Sequence, residues 1–563
     1  MNFSSIYLRR IAILFILVLS LATNLYSQNE MRQIPFEVYQ DKMKAGWIGQ
    51  IAGVTWGAST ENKFKTSIIP LDKVPTWRPA LINGGFGQDD LYVEMTFLKT
   101  LELYGLDVSN RQAGIDFANT RFGLWCANYA GRTNLRKGIA PPDSGHPQFS
   151  RNSNDIDYQI EADFAGLISP GMPNMAISLG DKFGHIMNYG EGVYAGQFVS
   201  AMYAEAFFET DVVKIVEAGL KCIPEQCQYA EMVRDMLAWY KADPDNWEKT
   251  WQLCEDKYTK NPEYQKESTG PIDCRINGAY IVMGLLYGKG DLDNTIIISM
   301  RCGKDSDCNP SSAAGVLFTS IGYKNIPDRF KEALDETRTF SNTEYDMKSL
   351  FSVCGKLARE AVIKEKGRID KDENGKEVLI IPIAQPKLAK LELTWAPNPI
   401  ANSKFTPEEM TKIIVTGKPT KKLAEDLEKF APGWQINNCG PDADSGLCSE
   451  NGRDNVLVTY PAGNREPCVL SKSVTIAEGV KTTLNLTVGK AQKSQWNLIV
   501  LGGGKLLFNE QIADKTLVNG WQDISIDLTQ FAGKTILLEL HNRPPKWNKI
   551  TSSHWAKIAI EQK

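Results

Sequence analysis

The chain has only four histidines, His146, His185, His541 and His554, and they stand far apart, with no HExxH pair and no Cys/His ligand spacing. A soft-ligand metal centre is not expected. It also lacks a charge excess: 63 basic residues face 67 acidic ones, a formal net charge of -4, too small a field to gather nucleic acid or an anionic membrane. Beyond the first 27 residues no apolar run approaches the roughly 20 residues that a membrane span needs. Phosphate loops are missing as well, because Gly533-Lys534-Thr535 has Leu528 where the first glycine belongs. Asp305-Ser306-Asp307-Cys308-Asn309 opens like a calcium loop but continues with Pro310 in place of the glycine and Val316 in place of the closing glutamate.

What is present is ordinary globular composition: 563 residues, 42% apolar and 23% charged, with 45 glycines and 27 prolines, enough chain for several domains. At the start, Arg9 and Arg10 precede an apolar run from Ile11 to Leu21, then Ala22-Thr23-Asn24-Leu25-Tyr26-Ser27. These are the regions of a secretory signal, expected to end near Ser27, so residues 1–27 are assigned to it. The mature protein is expected to be exported, periplasmic or secreted, and not membrane-bound. In such a compartment some of the eleven cysteines can pair, Cys222 with Cys227 or Cys439 with Cys448 being candidates, with the connectivity left open.

Residues 33–366 read as helices. In Leu91–Gly105 the positions Leu91, Met95, Leu98 and Leu101 recur at steps of four and three, one face of a helix that Gly105 stops. Strand-like alternation is nearly absent there, so this domain is expected to be all-α. Lys366–Lys376 reads as an exposed loop, and residues 367–432 as a linker with short helices at Pro407–Ile414 and Pro419–Phe430. From 433 to 563, short β-rich runs separated by Gly, Asn and Lys turns, such as Ile524–Leu528 and Thr535–Leu540, predict a β-sandwich, and it resembles the jelly-roll modules attached to exported glycan-active enzymes. Its tryptophans, among them Trp496, Trp521, Trp547 and Trp555, can stack on sugars but are more readily placed in the core.

Two glycine-bearing loops deliver paired acids to helix starts. Gly84-Gly85-Phe86-Gly87-Gln88 leads to Asp89 and Asp90, and Cys302-Gly303-Lys304 leads to Asp305, Ser306 and Asp307, with Asn309 the expected N-cap and Pro310 in the first turn. One acid per helix satisfies the helix dipole, worth about 0.3–1 kcal/mol. Two per helix exceed that need. If the two starts meet, four carboxylates converge, and they cannot all stay ionised without a cation. Oxygen donors favour magnesium, with manganese or calcium possible, one or two ions that orient water or hydroxyls for hydrolysis.

The ordered set Gly49-x3-Gly53-x3-Gly57-x3-Glu61, Gly87-Gln88-Asp89-Asp90 and Gly303-Lys304-Asp305-Ser306-Asp307-Cys308 with Ala314-Gly315 resembles the ADP-ribosylglycohydrolase family over about residues 40–330. The resemblance implies an all-α glycoside hydrolase with a binuclear magnesium centre that cleaves glycosidic bonds of ADP-ribose conjugates. By it, Asp89, Asp90, Asp305 and Asp307 match metal ligands, and Glu61 and Asp90 are the candidate catalytic acids. Two positions depart from the pattern: hydroxyl residues usual in the family are replaced by Gln88, which still offers a carbonyl oxygen as a ligand, and by Cys308, too soft for magnesium. Val54 replaces a further acid. Asp157, Glu161, Tyr189 and Glu191 are candidate substrate contacts. The expected partner is a carbohydrate or ADP-ribose-type small molecule, and export makes a furanoside or other glycan a serious alternative to an ADP-ribose conjugate; a catalytically silent carbohydrate-binding protein with a structural metal is the alternative function.

Overall fold

The computed structural model describes residues 30–120, 122–266, 268–413, 419–440, 446–462, 467–492, 494–544 and 551–562. The expected signal segment and Trp547 lie outside them. The chain divides into two compact units, residues 1–413 and 414–563.

The first unit is helical. After a short strand β1 (Met31–Pro35), it is organised around α1 (Phe36–Gly57), α2 (Asp89–Tyr104), α3 (Cys126–Arg136), α4 (Glu191–Ala206), α5 (Gln228–Ala242), α6 (Cys274–Gly288), α7 (Cys308–Ile321) and α8 (Met347–Lys364). The pairing of α1 with α7 explains the glycine ladder. A Cβ on Gly49 would lie 2.5 Å from Ala314 O, one on Gly53 2.2 Å from Pro310 O, and one on Gly57 2.1 Å from Ser306 O. Steps of four up one segment meet steps of four down the other, so the two run antiparallel at backbone contact, a distance no side chain at those positions allows. The ladder thereby carries the end of α1, and Glu61 just beyond it, to the start of α7.

The short helix Asn110–Ala118 is capped by Ser109, whose side chain accepts from Gln112 N. One difference from the sequence reading appears here. Lys366–Lys376 is not a plain loop but turns a hairpin: β2 (Arg368–Lys371) and β3 (Glu377–Pro382) form a three-stranded sheet in the order β1-β3-β2. Its buried Leu379, Ile380 and Ile381 are a short apolar run that the surrounding charges mask.

Residues 383–412, inside the expected linker, pack on the helical unit as a strap. Asp143 accepts from Ala401 N and Ser403 N at 2.9 and 2.7 Å. Tyr189 accepts from Asn398 N at 2.9 Å, and Glu392 Oε2 lies 3.0 Å from His185 Nε2. The compact unit therefore runs well past residue 366.

The second unit contains α9 (Lys421–Phe430) and ten strands, β4 (Gln435–Asn437), β5 (Gly446–Glu450), β6 (Arg453–Thr459), β7 (Cys468–Thr475), β8 (Thr482–Lys490), β9 (Trp496–Gly502), β10 (Lys505–Ile512), β11 (Trp521–Asp527), β12 (Thr535–Arg543) and β13 (Ser553–Gln562). They form two antiparallel sheets, β10-β9-β12-β7-β4 and β11-β8-β13-β6-β5. Inward residues of both share one core: Leu498, Val500, Leu538 and Leu540 from the first, Leu484, Leu486, Ile526 and Trp555 from the second. That is a β-sandwich, with period-2 burial along β9 and β12. Leu423 and Leu427 of α9 enter the same core, so this helix belongs to the sandwich unit. Trp496, Trp521 and Trp555 are buried and unavailable as stacking platforms.

Neither anticipated cysteine pairing is formed. Cys222 donates to Ala218 O at 3.4 Å and Cys448 to Val456 O at 3.7 Å.

Candidate active site

The α1–α7 ladder and the start of α2 bring the two acid loops together. Gly303 and Lys304 both take positive φ, 83° and 56°, turning the second loop under Phe64, where a Cβ on Gly303 would lie 2.3 Å from Phe64 O. The loop is pinned by a buried ion pair, Lys304 Nζ to Glu255 Oε1 at 2.7 Å, and by Lys304 Nζ to Lys65 O at 2.9 Å. The α7 helix begins at Cys308, with Asp307 as its N-cap residue. Asn309 is therefore inside the first turn, donating to Asn277 Oδ1 at 2.9 Å, rather than capping the helix. Asn277 Oδ1 also accepts from Asp305 N at 3.4 Å.

Asp89 and Asp90 open α2, and Asp305 and Asp307 immediately precede α7, as the loop reading expects. Asp305, Asp307 and Cys308 each offer a donor atom within 4.8 Å of the others. Burial raises the Asp90 carboxyl far above its ordinary range, and the charges of Asp89 and Asp307 push the same way. Asp305 is raised likewise by burial, then by Asp307 and Asp90. Asp307 is pushed up to about 7, by burial first and then Glu61. Asp89 rises through burial, and Glu61 adds to it. Glu61, Asp89, Asp90, Asp305 and Asp307, from three segments, thus lie close enough to feel one another's charge.

Glu61 itself is exposed and accepts from Asn62 Nδ2 at 2.8 Å. Gln88 is half-buried at the N-cap of α2; its carbonyl accepts from Leu91 N and Tyr92 N at 3.3 and 3.2 Å, and its side chain makes no capping bond. The Cys308 thiol donates to Asp90 Oδ1 at 3.1 Å, and burial beside Asp305, Asp307 and Asp90 holds it protonated.

Of the four expected substrate contacts, two face the acids. Asp157 accepts from Asn128 N at 2.9 Å and Ala127 N at 3.3 Å at the start of α3; burial raises it to about 7 against those bonds, with Asp89 contributing. Glu161 is bonded by Asn128 Nδ2 and is raised by burial, Asp157, Asp89 and Asp90. The other two are engaged elsewhere. Glu191 accepts Gln228 N and Tyr229 N at 3.0 and 2.8 Å, serving the start of α5. Tyr189 packs edge-on to His146, ring centroids 4.8 Å apart, under the strap.

A supporting layer went unread in the sequence. Asp163 accepts from Gln50 Nε2 at 2.7 Å and from the Tyr203 hydroxyl at 2.8 Å, and Glu94 accepts from Phe164 N at 2.8 Å. Glu94 lies four residues after Asp90, hence on the same helical face, a spacing that was available as a signal.

The residues fit a hard divalent cation. Asp90 Oδ2 and Asp305 Oδ2 are buried without a hydrogen-bond partner, an arrangement that costs free energy unless positive charge arrives. Cys308, engaged as a donor to Asp90, fits less well than the carboxylates.

The sequence profile of ADP-ribosylglycohydrolases matches residues 36–364, more than half of the chain. The chain belongs to the ADP-ribosylglycohydrolase family. Among solved structures, one described as an "ADP-ribosylglycohydrolase-related protein complex" is 15% identical, covering 58% of this chain and 99% of its own, with a TM-score of 0.39. The CBM22-1 xylan-binding domain of Paenibacillus barcinonensis Xyn10C (14% identical, 24% of this chain and 87% of its own, TM-score 0.18) and a cyclase from Fischerella sp. TAU (13%, 26% and 96%, TM-score 0.18) are also similar. Among curated proteins nothing matches. As an ADP-ribosylglycohydrolase family member the chain is by kinship a hydrolase, of a family typically dependent on metal, and it carries acidic clusters able to hold one.

Proposed function

We propose that this family member is a magnesium-dependent glycoside hydrolase acting outside the cytoplasm on an ADP-ribose-like, furanoside or other glycan substrate. The observation that carries the reading is the pair of partnerless buried oxygens, Asp90 Oδ2 and Asp305 Oδ2, in acids whose carboxyls raise one another. Asp89, Asp90, Asp305 and Asp307 would hold the ion or ions, with the Gln88 side-chain carbonyl as a further oxygen. The ion's chemistry is to polarise a leaving oxygen and to acidify water.

The chain's own residues do the rest. Glu61, exposed at the rim, is free to exchange a proton with solvent and to pass it at the glycosidic oxygen or the attacking water. Asp157 and Glu161, held by Ala127 N, Asn128 N and Asn128 Nδ2, present oxygens fixed by the start of α3 to sugar hydroxyls. Their rigidity orients a bound sugar at little entropic cost.

The test is product release from a panel of ADP-ribose conjugates, furanosides and pyranosides, with magnesium and then with chelator. Cleavage that chelator abolishes is expected, with Asp305→Asn lowering turnover by at least about 100-fold and Glu61→Gln by roughly 100-fold. Silence across the panel by a folded protein would sink the hydrolase. It would favour the silent carbohydrate-binding reading, which the engagement of Cys308 with Asp90 also supports.

A further inference from the structure

A second cluster lies beside the acids. Cys126 at the start of α3, Asp155 in the loop ahead of the short helix Asp157–Ile160, and Asp157 at the start of that helix each offer one donor atom within 4.8 Å of the others. Spacing along the chain does not advertise it, since Cys126 is 29 residues from Asp155 and no histidine takes part. Asp155 is fully buried; its Oδ2 accepts from Asn152 Nδ2 at 2.5 Å, whereas its Oδ1 has no hydrogen-bond partner. A buried carboxylate oxygen without a donor is rare in folded proteins and is commonly explained by a missing ion or water. Asp157 is immobilised by the first N–H groups of α3, and Cys126 is half-buried, so an ion can reach its sulfur.

We propose that Cys126, Asp155 and Asp157 form a second cation site, of borderline-soft character, for zinc or an ion like it. One thiolate and two carboxylates suit zinc, whereas magnesium shuns sulfur. Binding forms a metal–sulfur bond and releases the thiol proton to solvent, so uptake falls in acid. Three protein donors leave a fourth position for water or a substrate group. The site shares Asp157 with the proposed sugar contacts but none of Asp89, Asp90, Asp305 or Asp307, so it can be tested apart from the hydrolase reading.

The experiment titrates the full chain with cadmium, read by the thiolate-to-cadmium charge-transfer band, and with zinc, read by metal retained after gel filtration. Magnesium is kept saturating throughout. One ion per chain is expected. Cys126→Ser should abolish the band and weaken zinc retention by about tenfold or more, and Asp155→Asn should weaken retention comparably, while Asp305→Asn leaves both readouts unchanged. Should Cys126→Ser not fold, zinc should slow alkylation of Cys126 in the native chain by about tenfold, mapped by mass spectrometry. A band that survives Cys126→Ser or vanishes only in Cys308→Ser overturns the site, as does zinc retention indifferent to Asp155→Asn or alkylation indifferent to zinc.

Discussion

Both units bury apolar cores, and they differ in the acids buried beside them. Among the described residues, the helical unit packs Trp47, Phe97 and Leu98 but also hides Asp90, Glu94, Asp155, Asp157, Glu161, Asp163, Glu191, Asp305 and Asp307, whereas the sandwich unit hides Trp496, Trp555 and aliphatic residues between its sheets and, of its acids, Asp426. Apolar burial stabilises in proportion to area, about 25 cal/mol per Å². Burial of carboxylates costs free energy unless each oxygen finds a partner. A fold that accumulates the second kind at two helix starts gives up stability there, and such places are where function is expected. The proposed chemistry therefore belongs to the helical unit, where the buried acids are, and the sandwich is built around a conventional apolar core.

Trp496→Ala probes the sandwich side of this contrast and has the largest expected effect. The ring is fully buried, packs 5.3 Å from Trp555 and donates to Gly489 O at 2.9 Å. The expected loss is roughly 3–5 kcal/mol, read as a lower denaturation midpoint with chelator-sensitive turnover retained. Loss of turnover in a chain whose helical unit stays folded would contradict the division of labour.

Much of this was legible in advance, for local reasons. The glycines at 49, 53 and 57 and the acids at 89, 90, 305 and 307 stand in fixed short spacings, and for the glycines the structure supplies the cause: a backbone-to-backbone contact that brings the end of α1 to the loop of Asp305 and Asp307. What could not be read was non-local. Glu191 looks like a loop acid but serves the start of α5, 37 residues on. The strap over 383–403 has no period, because its order comes from Asp143, Tyr189 and His185 on the helical unit, whereas its end, the helix Pro407–Lys412 with its Thr406–Glu409 capping box, was legible. Thr420, just before α9, already caps a helix of the sandwich unit, so composition placed the domain boundary where polarity changed and not where contacts change.

The histidines sharpen the comparison through pH. Burial alone would lower His185, but its hydrogen bond and charge contact with Glu392, aided by Asp181, hold it up at about 9. A pKa raised on folding stabilises fully below the unfolded value near 6.5, and the contribution is lost as pH climbs through 9. The strap contact is worth on the order of 3 kcal/mol by that shift. In the sandwich, burial lowers His541 and His554. Their contribution has the reverse sign, present above about 6.5 and lost as pH falls below it. Melting from pH 5 to 10 should therefore show alkaline weakening that Glu392→Gln removes, and acid weakening that His554→Gln reduces. Alkaline weakening unchanged in Glu392→Gln would dismiss the strap latch.

Asp305→Asn has the smallest expected stability effect but the most informative sign. In the ion-free protein the Asp305 carboxyl is buried against Asp307 and Asp90, with one oxygen unbonded. An amide of the same shape removes the charge to be desolvated and can donate to Asp307, so under chelator the variant should be more stable than the native chain by roughly 1–3 kcal/mol. Magnesium should reverse the order, because an ion that binds only the folded native chain adds stability in proportion to the logarithm of its concentration over Kd. A crossing of the two melting curves between chelator and magnesium is the expected outcome. Parallel curves, with the variant below the native chain in both conditions, would mean that Asp305 supports the fold through packing and that these acids hold no ion.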